Sequence, residues 1–378
     1  MDNQTRTRRD ADKPKKHKKS KMKIIIAVIV ALLVAAGAYG AYTYHNAKVA
    51  LKDTYNPLDP NFKPARDVSQ VLKDGKPISI LLLGTDTGSL DRSYTGRTDS
   101  VMIATVNPKT KTTTLESIPR DSMVSIPGFE QTFPMKINAA YEFPTTDGKG
   151  HPETTIKTLQ DFLNVPIDFY ALINMGGLQT MVDKVGGVTV KSPLTFTYKP
   201  NNKKPNTYKF YKGKTEYKYA PDGKNFKPHT VMNGAAALAF SRMRYTDPLG
   251  DYGRQKRQRL VLTALAKQAD DLANLLTPGF FESMSKNVQT NLSFNDLMTM
   301  ASKYRVATKT IKSEHMQGVG YMYNGQSFQV IPDGNRQEAT NILRKSLGLQ
   351  AKPTGNRFAG QVTNGVQIPE FPTVGGGN

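Results

Sequence analysis

The chain is 378 residues long, with 52 Lys and Arg against 31 Asp and Glu, a formal net charge of +21, and neither Cys nor Trp. Its length accommodates one large domain or two modest ones, and 38% hydrophobic residues with 16 Phe and 17 Tyr supply a core, which excludes wholesale disorder. Zero Cys excludes a disulfide scaffold, thiolate metal sites, iron–sulfur clusters and thiol nucleophiles, while the basic excess directs attention to nucleic acid, anionic lipid or a phosphorylated polymer.

Residues 1–23 hold ten basic and three acidic side chains without apolar periodicity and read as a short cytoplasmic tail. Residues 24–44 carry no charge. As a helix they extend roughly 31 Å, one hydrocarbon core. Tyr39, Tyr42 and Tyr44 stand at the far end, where an interfacial aromatic belt belongs. The basic flank precedes this run, so the expectation is a single-pass anchor at 24–44 in the cell membrane, N-terminus in the cytoplasm and the remainder outside. The small residues at 38–41 offer a cleaved signal peptide as the alternative, but the apolar run is too long for one. Residues 45–75 are polar and punctuated by Pro57, Pro60 and Pro64, a stalk or packed lead-in to an extracellular domain over 76–348.

Within that domain the apolar run 78–83, ending at Gly84, predicts a buried strand. Runs 100–106 and 112–118 predict two more, joined by a turn at Asn107-Pro108. A helix is expected over 152–163, a strand over 169–173, a helix over 177–184 stopped by Gly186-Gly187, and a strand over 188–190. Residues 195–228 combine nine Lys with two acids and many aromatics, and read as hairpins and loops. Helices follow at 233–240, about 253–276, and 293–307, the last opened by a Ser293/Asp296 capping box. A hairpin over 321–331 turns at Asn324-Gly325, and 333–347 is a final amphipathic helix. Beyond Gly348 the Gly-, Pro-, Thr- and Asn-rich composition predicts a disordered tail over 349–378.

If the first three strands are neighbours that alternate in direction, the residues after the first, before the second and after the third share one sheet edge. Those residues are Gly84-Thr85-Asp86, Arg97-Thr98-Asp99 and Pro119-Arg120-Asp121. A second cluster spans 241–259. Arg242 and Arg244 share a face in an extended segment, Pro248 and Gly250 break the chain, and Asp251 falls where a helix N-cap belongs. Arg254 and Gln258 then lie one turn apart on the next helix, with Arg257 beside them. A helix start ringed by forked guanidiniums suits phosphate oxygens, with a solvated basic helix or a nucleic-acid stripe as alternatives. The five His show no metal-ligand spacing, and there is no P-loop, Gly-x-Ser-x-Gly elbow or paired-His helix. Carboxylate oxygens select Mg²⁺ or Mn²⁺, commonly shared with substrate phosphates. These residues point to phosphoryl chemistry on a bound diphosphate.

The segments Gly84-Thr85-Asp86, Arg97-Thr98-Asp99-Ser100, Pro119-Arg120-Asp121, Lys136-Ile137-Asn138-Ala139-Ala140-Tyr141 and the 242–258 block, in that order, resemble the LytR–CpsA–Psr (LCP) family over about 78–347. The resemblance implies an α/β/α sandwich with a mixed central sheet. It also implies a phosphotransferase that moves a teichoic acid or capsule-type glycopolymer from a polyprenyl diphosphate carrier to peptidoglycan. By motif, Asp86 and Asp99 would hold Mg²⁺. Arg97, Arg120, Arg242, Arg244, Arg254 and Gln258 would grip the diphosphate, and Asp251 would orient the Arg cluster. Asp99 and Asp121 are the candidates for taking the acceptor's proton. An apolar pocket would hold the isoprenoid, with 177–184 and 260–276 able either to line it or to serve as plain core. The competing reading is a membrane-tethered, nucleic-acid-binding transcriptional regulator. It rests on the pI of about 9.8 alone and is opposed by the expected topology, which makes nucleic acid an unexpected partner.

Overall fold

The structure is a computed structural model and describes residues 45–46, 48–49, 52–86, 96–144, 151–200, 204–268, 278–363 and 365–374. The basic tail and the apolar run 24–44 lie outside the described residues; among the described residues no helix is long and apolar enough to cross a membrane.

Helix α1 (Val68–Lys73), capped by Asp67, precedes the three expected strands, β1 (Ile78–Thr85), β2 (Ser100–Asn107) and β3 (Thr112–Ile118). The short strands β4 (Met123–Val124) and β5 (Met135–Lys136) follow, then α2 (His151–Leu163), β6 (Phe169–Asn174) and α3 (Met175–Lys184). Gly186 and Gly187 stop α3 with φ of +78° and +97°, a region that glycine enters freely. The lysine-rich stretch folds into β7 (Phe196–Tyr198), β8 (Thr207–Phe210), β9 (Tyr217–Ala220) and β10 (Lys227–His229). The last third contains α4 (Gly234–Arg242), α5 (Gly250–Gln268), α6 (Pro278–Met284), β11 (Val288–Thr290) and α7 (Phe294–Lys303). It closes with β12 (Thr310–His315), the hairpin β13 (Val319–Tyr323) and β14 (Gln326–Val330), and α8 (Asp333–Ser346).

A six-stranded sheet in the order β11-β6-β1-β2-β3-β12 forms the centre. It is mixed: β1 runs parallel to β6 and β3 to β12, while the other pairs are antiparallel. Alternation along β1 divides the core. Leu81 and Leu83 face a cluster with Ile156 and Phe162 of α2 and Leu343 of α8, whereas Ile78 and Ile80 face Leu72 of α1 and residues packed from α7. Helices therefore cover both faces. A second layer packs Phe196, Phe210 and Tyr217 of the β10-β9-β8-β7 sheet on Phe240 of α4 and Val261 of α5.

Several expectations are corrected. The strand at 188–190 is reduced to one bridge, Val188 to Met232. The helix expected over 293–307 keeps its Ser293/Asp296 box but ends at Lys303 and passes into a 3₁₀ turn over Arg305–Lys309. Edge strands β11 and β12 carry no apolar run that would announce them. The tail expected to be disordered is docked. Phe358 and Ala359 are buried, Val366, Ile368 and Phe371 pack against Phe328 and Val330, and Asn335 exchanges two hydrogen bonds with Val374. The physical reason is Arg336. Fully buried, it donates to the carbonyls of Gly355 and Asn356 at 2.8 and 2.7 Å, giving otherwise uncommitted backbone a fixed partner.

Candidate active site

The β1-β2-β3 register carries out the convergence expected from the sequence. Gly84 lies opposite Ser100 and Val101 opposite Ile118, so the end of β1, the start of β2 and the end of β3 meet at one edge. A Cβ on Gly84 would approach the Cβ of Ser100 to 3.0 Å, so glycine permits this close pairing. Asp86, Asp99 and Arg120 emerge there. Arg120 donates to Asp99 Oδ1, and its Nε lies 3.7 Å from Asp121 and 3.8 Å from Asp251. Burial works against its charge, but Asp121, Asp251 and Asp99 outweigh that and hold its pKa above the ordinary guanidinium value.

The opposite wall is built by α4, α5 and the loop between them. Arg242 at the end of α4 donates through Nη2 to both oxygens of Asp86, at 2.9 and 3.0 Å. The loop is fixed from beneath by Arg257. Fully buried, it donates to the carbonyls of Phe240 and Met243 and to the Asp247 carboxylate. Gly253 makes room for that carboxylate, since a Cβ there would sit 1.9 Å from Asp247 Oδ2. Arg257 thus supports the loop presenting Arg242 and Arg244 instead of standing beside Arg254 and Gln258 at the site.

Arg254, Gln258 and Leu262 follow one another at i, i+4 and i+8 along α5, roughly 6 Å apart, and all three line one cavity. Arg254 donates to the Asp99 carbonyl at 3.3 Å and pairs with Asp251 at 2.5 Å, and Ser100 Oγ donates to Gln258 Oε1 at 3.2 Å. Burial lowers the Arg254 pKa, Asp251 opposes that, and Arg120 and Arg244 add to the lowering, so several positive charges are held close together. Among the described residues Arg244 has no carboxylate partner.

The cavity measures about 810 Å³. One end is polar, formed by Asp86, Asp99, Arg120, Arg242, Arg244, Arg254 and Gln258; the remainder is apolar, with Leu82, Met102, Leu178, Met181, Leu262, Phe280, Met284 and Leu297 on its wall. Of the two stretches considered as lining, 177–184 contributes Leu178 and Met181 and 260–276 contributes Leu262, with 269–276 lying outside the described residues. Three predicted residues do not reach the wall. Arg97 is exposed and pairs with Glu142 at 3.3 Å. Asp121 is turned towards Lys136 at 3.0 Å and Arg120. Asp251 stands inside the first turn of α5, which begins at Gly250, and accepts from Gln255 at 2.9 Å instead of capping the helix. The sequence reading missed Ser100, Tyr198 and Lys199, which also line the cavity.

Among the described residues no group of three or more His, Cys, Asp or Glu could hold a metal ion by itself. Two carboxylates among guanidiniums, Asp86 on Arg242 and Asp99 on Arg120, would nevertheless suit Mg²⁺ or Mn²⁺, which bind through one or two carboxylates and complete their shell with substrate oxygens and water. The buried Nε atoms of Arg120 and Arg254 make no hydrogen bond, Arg120 Nε lying between the Asp121 and Asp251 carboxylates at 3.7 and 3.8 Å.

Fold and site together define a mixed α/β protein with one cavity that is guanidinium-rich at one end and largely apolar along the rest. A model of the LytR_cpsA_psr family matches residues 41–345, and the chain belongs to that family. It is 36% identical over 319 residues, 84% of this chain and 93% of the relative, to the polyisoprenyl-teichoic acid–peptidoglycan teichoic acid transferase TagU of Enterococcus faecalis. The crystal structure of Bacillus subtilis TagU superposes with a TM-score of 0.51 at 31% identity, covering 74% of this chain and 100% of that one. A structure described as a transcriptional regulator from Enterococcus faecalis superposes with a TM-score of 0.58 at 31% identity, covering 74% of this chain and 91% of that one.

Proposed function

We propose that the protein is a transferase that moves a teichoic acid-type glycopolymer from a polyprenyl diphosphate carrier to peptidoglycan. The observation that carries this reading is one cavity with four guanidiniums and two carboxylates at one end and hydrocarbon side chains along the rest. A nucleic-acid backbone brings phosphates but no long hydrocarbon chain, and so leaves the apolar wall without an occupant. An amphiphile with a diphosphate head needs the arrangement seen. The transferase name of the TagU relatives agrees with that chemistry.

In the reaction, an acceptor hydroxyl on peptidoglycan attacks the phosphorus that bears the glycopolymer. A new O–P bond forms, the bridging P–O bond breaks, and polyprenyl phosphate departs with the bridging oxygen and its electron pair. Arg120, Arg242, Arg244 and Arg254 hold the phosphate oxygens and stabilise their developing charge, with Gln258 donating from the same wall. We assign the hydroxyl proton to Asp99, which reaches the cavity, in preference to Asp121, which is turned to Lys136. Asp86 and Asp99 are the residues that would hold Mg²⁺ or Mn²⁺; when bound, such an ion neutralises phosphate charge and acidifies a nearby hydroxyl. Residues 24–44 would tether the domain to the outer face of the cell membrane, a topology supported by the uncharged run behind a basic tail.

The test uses the purified full chain, a polyprenyl diphosphate-linked donor and peptidoglycan fragments. Release of polyprenyl phosphate should require a divalent ion. Arg120→Ala and Asp99→Ala should each abolish it while leaving the circular dichroism spectrum unchanged. Undiminished release by both variants would end the assignment, and salt-sensitive, sequence-specific DNA affinity would favour a regulator.

A further inference from the structure

The lysine-rich sheet takes no part in the chemistry above. One of its faces buries Phe196, Tyr208, Phe210 and Tyr217. The register places the alternate residues on the other face, with Thr197 opposite Lys209, Lys209 opposite Lys218 and Lys218 opposite Pro228. Two lysines directly opposite on neighbouring strands repel each other. Little offsets them: Lys209 lies 4.0 Å from the centre of the Phe226 ring, but among the described residues Lys199, Lys209, Lys212, Lys214 and Lys218 form no ion pair. Of the two acids in the stretch, Asp222 is occupied by the backbone N–H groups of Lys224 and Asn225 and by the Asn225 amide, and Glu216, between Lys214 and Lys218, is one carboxylate against the several lysines and forms no ion pair among the described residues. A surface that keeps uncompensated positive charge in register is complementary to a polyanion.

The sheet also starts at the cavity. Thr197, Tyr198 and Lys199 line its wall, and the Tyr198 phenol, its pKa raised by burial, lies close enough to Arg242 and Asp86 to be acted on by both. The row from Thr197 to Lys209 to Lys218 therefore leads outward from the polar end, at about 4.8 Å per strand. We propose that this face is a track for the anionic chain of the donor, a phosphodiester-bearing polyol or sugar polymer, which lies across Lys209 and Lys218 while its diphosphate head sits in the cavity. The proposal rests on the transferase reading and extends it from the reacting phosphates to the polymer. Continuity decides against an anionic bilayer as occupant, because hydrocarbon belongs at the apolar end by Phe280 and Met284 and the lysine face adjoins the other end.

The experiment compares the full chain with a fourfold variant, Lys209→Gln, Lys212→Gln, Lys214→Gln and Lys218→Gln, and with the corresponding fourfold Lys→Arg variant. The first probe is lipid-free poly(glycerol phosphate) labelled at one end, titrated at several salt concentrations. Wild type and the Arg variant should bind it with a steep salt dependence, and the Gln variant should bind on the order of tenfold more weakly with a shallower slope. The second probe is a donor bearing a single repeat, which all three proteins should transfer at the same rate. Equal polymer affinity in wild type and the Gln variant overturns the track. So does unchanged polymer binding with lost retention on phosphatidylglycerol vesicles, which would make the face a membrane contact. Failure of all three proteins to transfer the short donor strikes the transferase reading instead, and polymer binding still decides the track.

Discussion

Neighbouring residues of one helix turn have opposite duties here. Arg254 and Gln258 were legible from their i, i+4 spacing, because a helix puts such pairs on one face whatever surrounds it. Arg257 was not, because its work is defined by the carbonyls of Phe240 and Met243, which the helical pattern does not mention. Arg97 is lost to the site for a similar reason: its partner, Glu142, lies 45 residues away in a 3₁₀ turn. Glu116, on β3, belongs to no motif and is 1% exposed. Burial first, then the charge of Glu314, raises its pKa from 4.5 to about 8 against the pull of Arg259. The folded chain therefore holds a proton that the unfolded chain releases. That stabilisation is complete below pH 4.5, declines as pH rises and is gone above about pH 8. Glu116→Gln should remove this slope, so that melting temperatures measured from pH 6 to 9 fall less in the variant than in wild type.

Elements with local signatures were read correctly, and those held by distant partners were not. The hairpin turns at Asn324-Gly325, both at positive φ, and the Ser293/Asp296 box is formed, because each signal is complete within a few residues. β12 is a polar edge strand whose existence depends on pairing with β3, and its sequence alternates nothing apolar. The docked tail is the clearest case. Its composition measures what the segment can bury alone, while its order comes from Arg336, Phe328 and Val330 of the body. Removing residues 350–378 would strip buried Phe358 and Ala359 and take the Gly355 and Asn356 carbonyls from Arg336, which would keep Phe162 and Asp333. A loss of about 2–4.5 kcal/mol is expected, from roughly 1.5–3 for a buried aromatic and roughly 0.5–1.5 for the lost hydrogen bonding. A urea titration should show the midpoint falling with the truncation, and an unchanged midpoint would mean the tail contributes nothing.

At the scale of the molecule, strand order and the two Arg-bearing segments were enough to foresee where charge gathers, whereas the hollow was expected only through the family resemblance and not from the residues themselves. Its apolar wall is assembled from β1, β2, α3, α5, α6 and α7, most of them stretches that become neighbours only through the sheet crossover and the helix packing. Leu262→Arg places a charge on that wall two turns beyond Arg254. Affinity for a long-chain prenyl diphosphate should drop at least about tenfold, since an unpaired charge tolerates hydrocarbon poorly, while a short prenyl diphosphate should bind as in wild type. Isothermal titration with the two chain lengths separates the outcomes. The stacking of Arg254, Gln258 and Leu262 on one helix also bears on turnover. In the proposed reaction the spent carrier would keep its whole greasy berth and one of its two anionic groups after the glycan had left, so fresh donor would have to evict a close look-alike, and throughput would track how quickly that look-alike is drawn away.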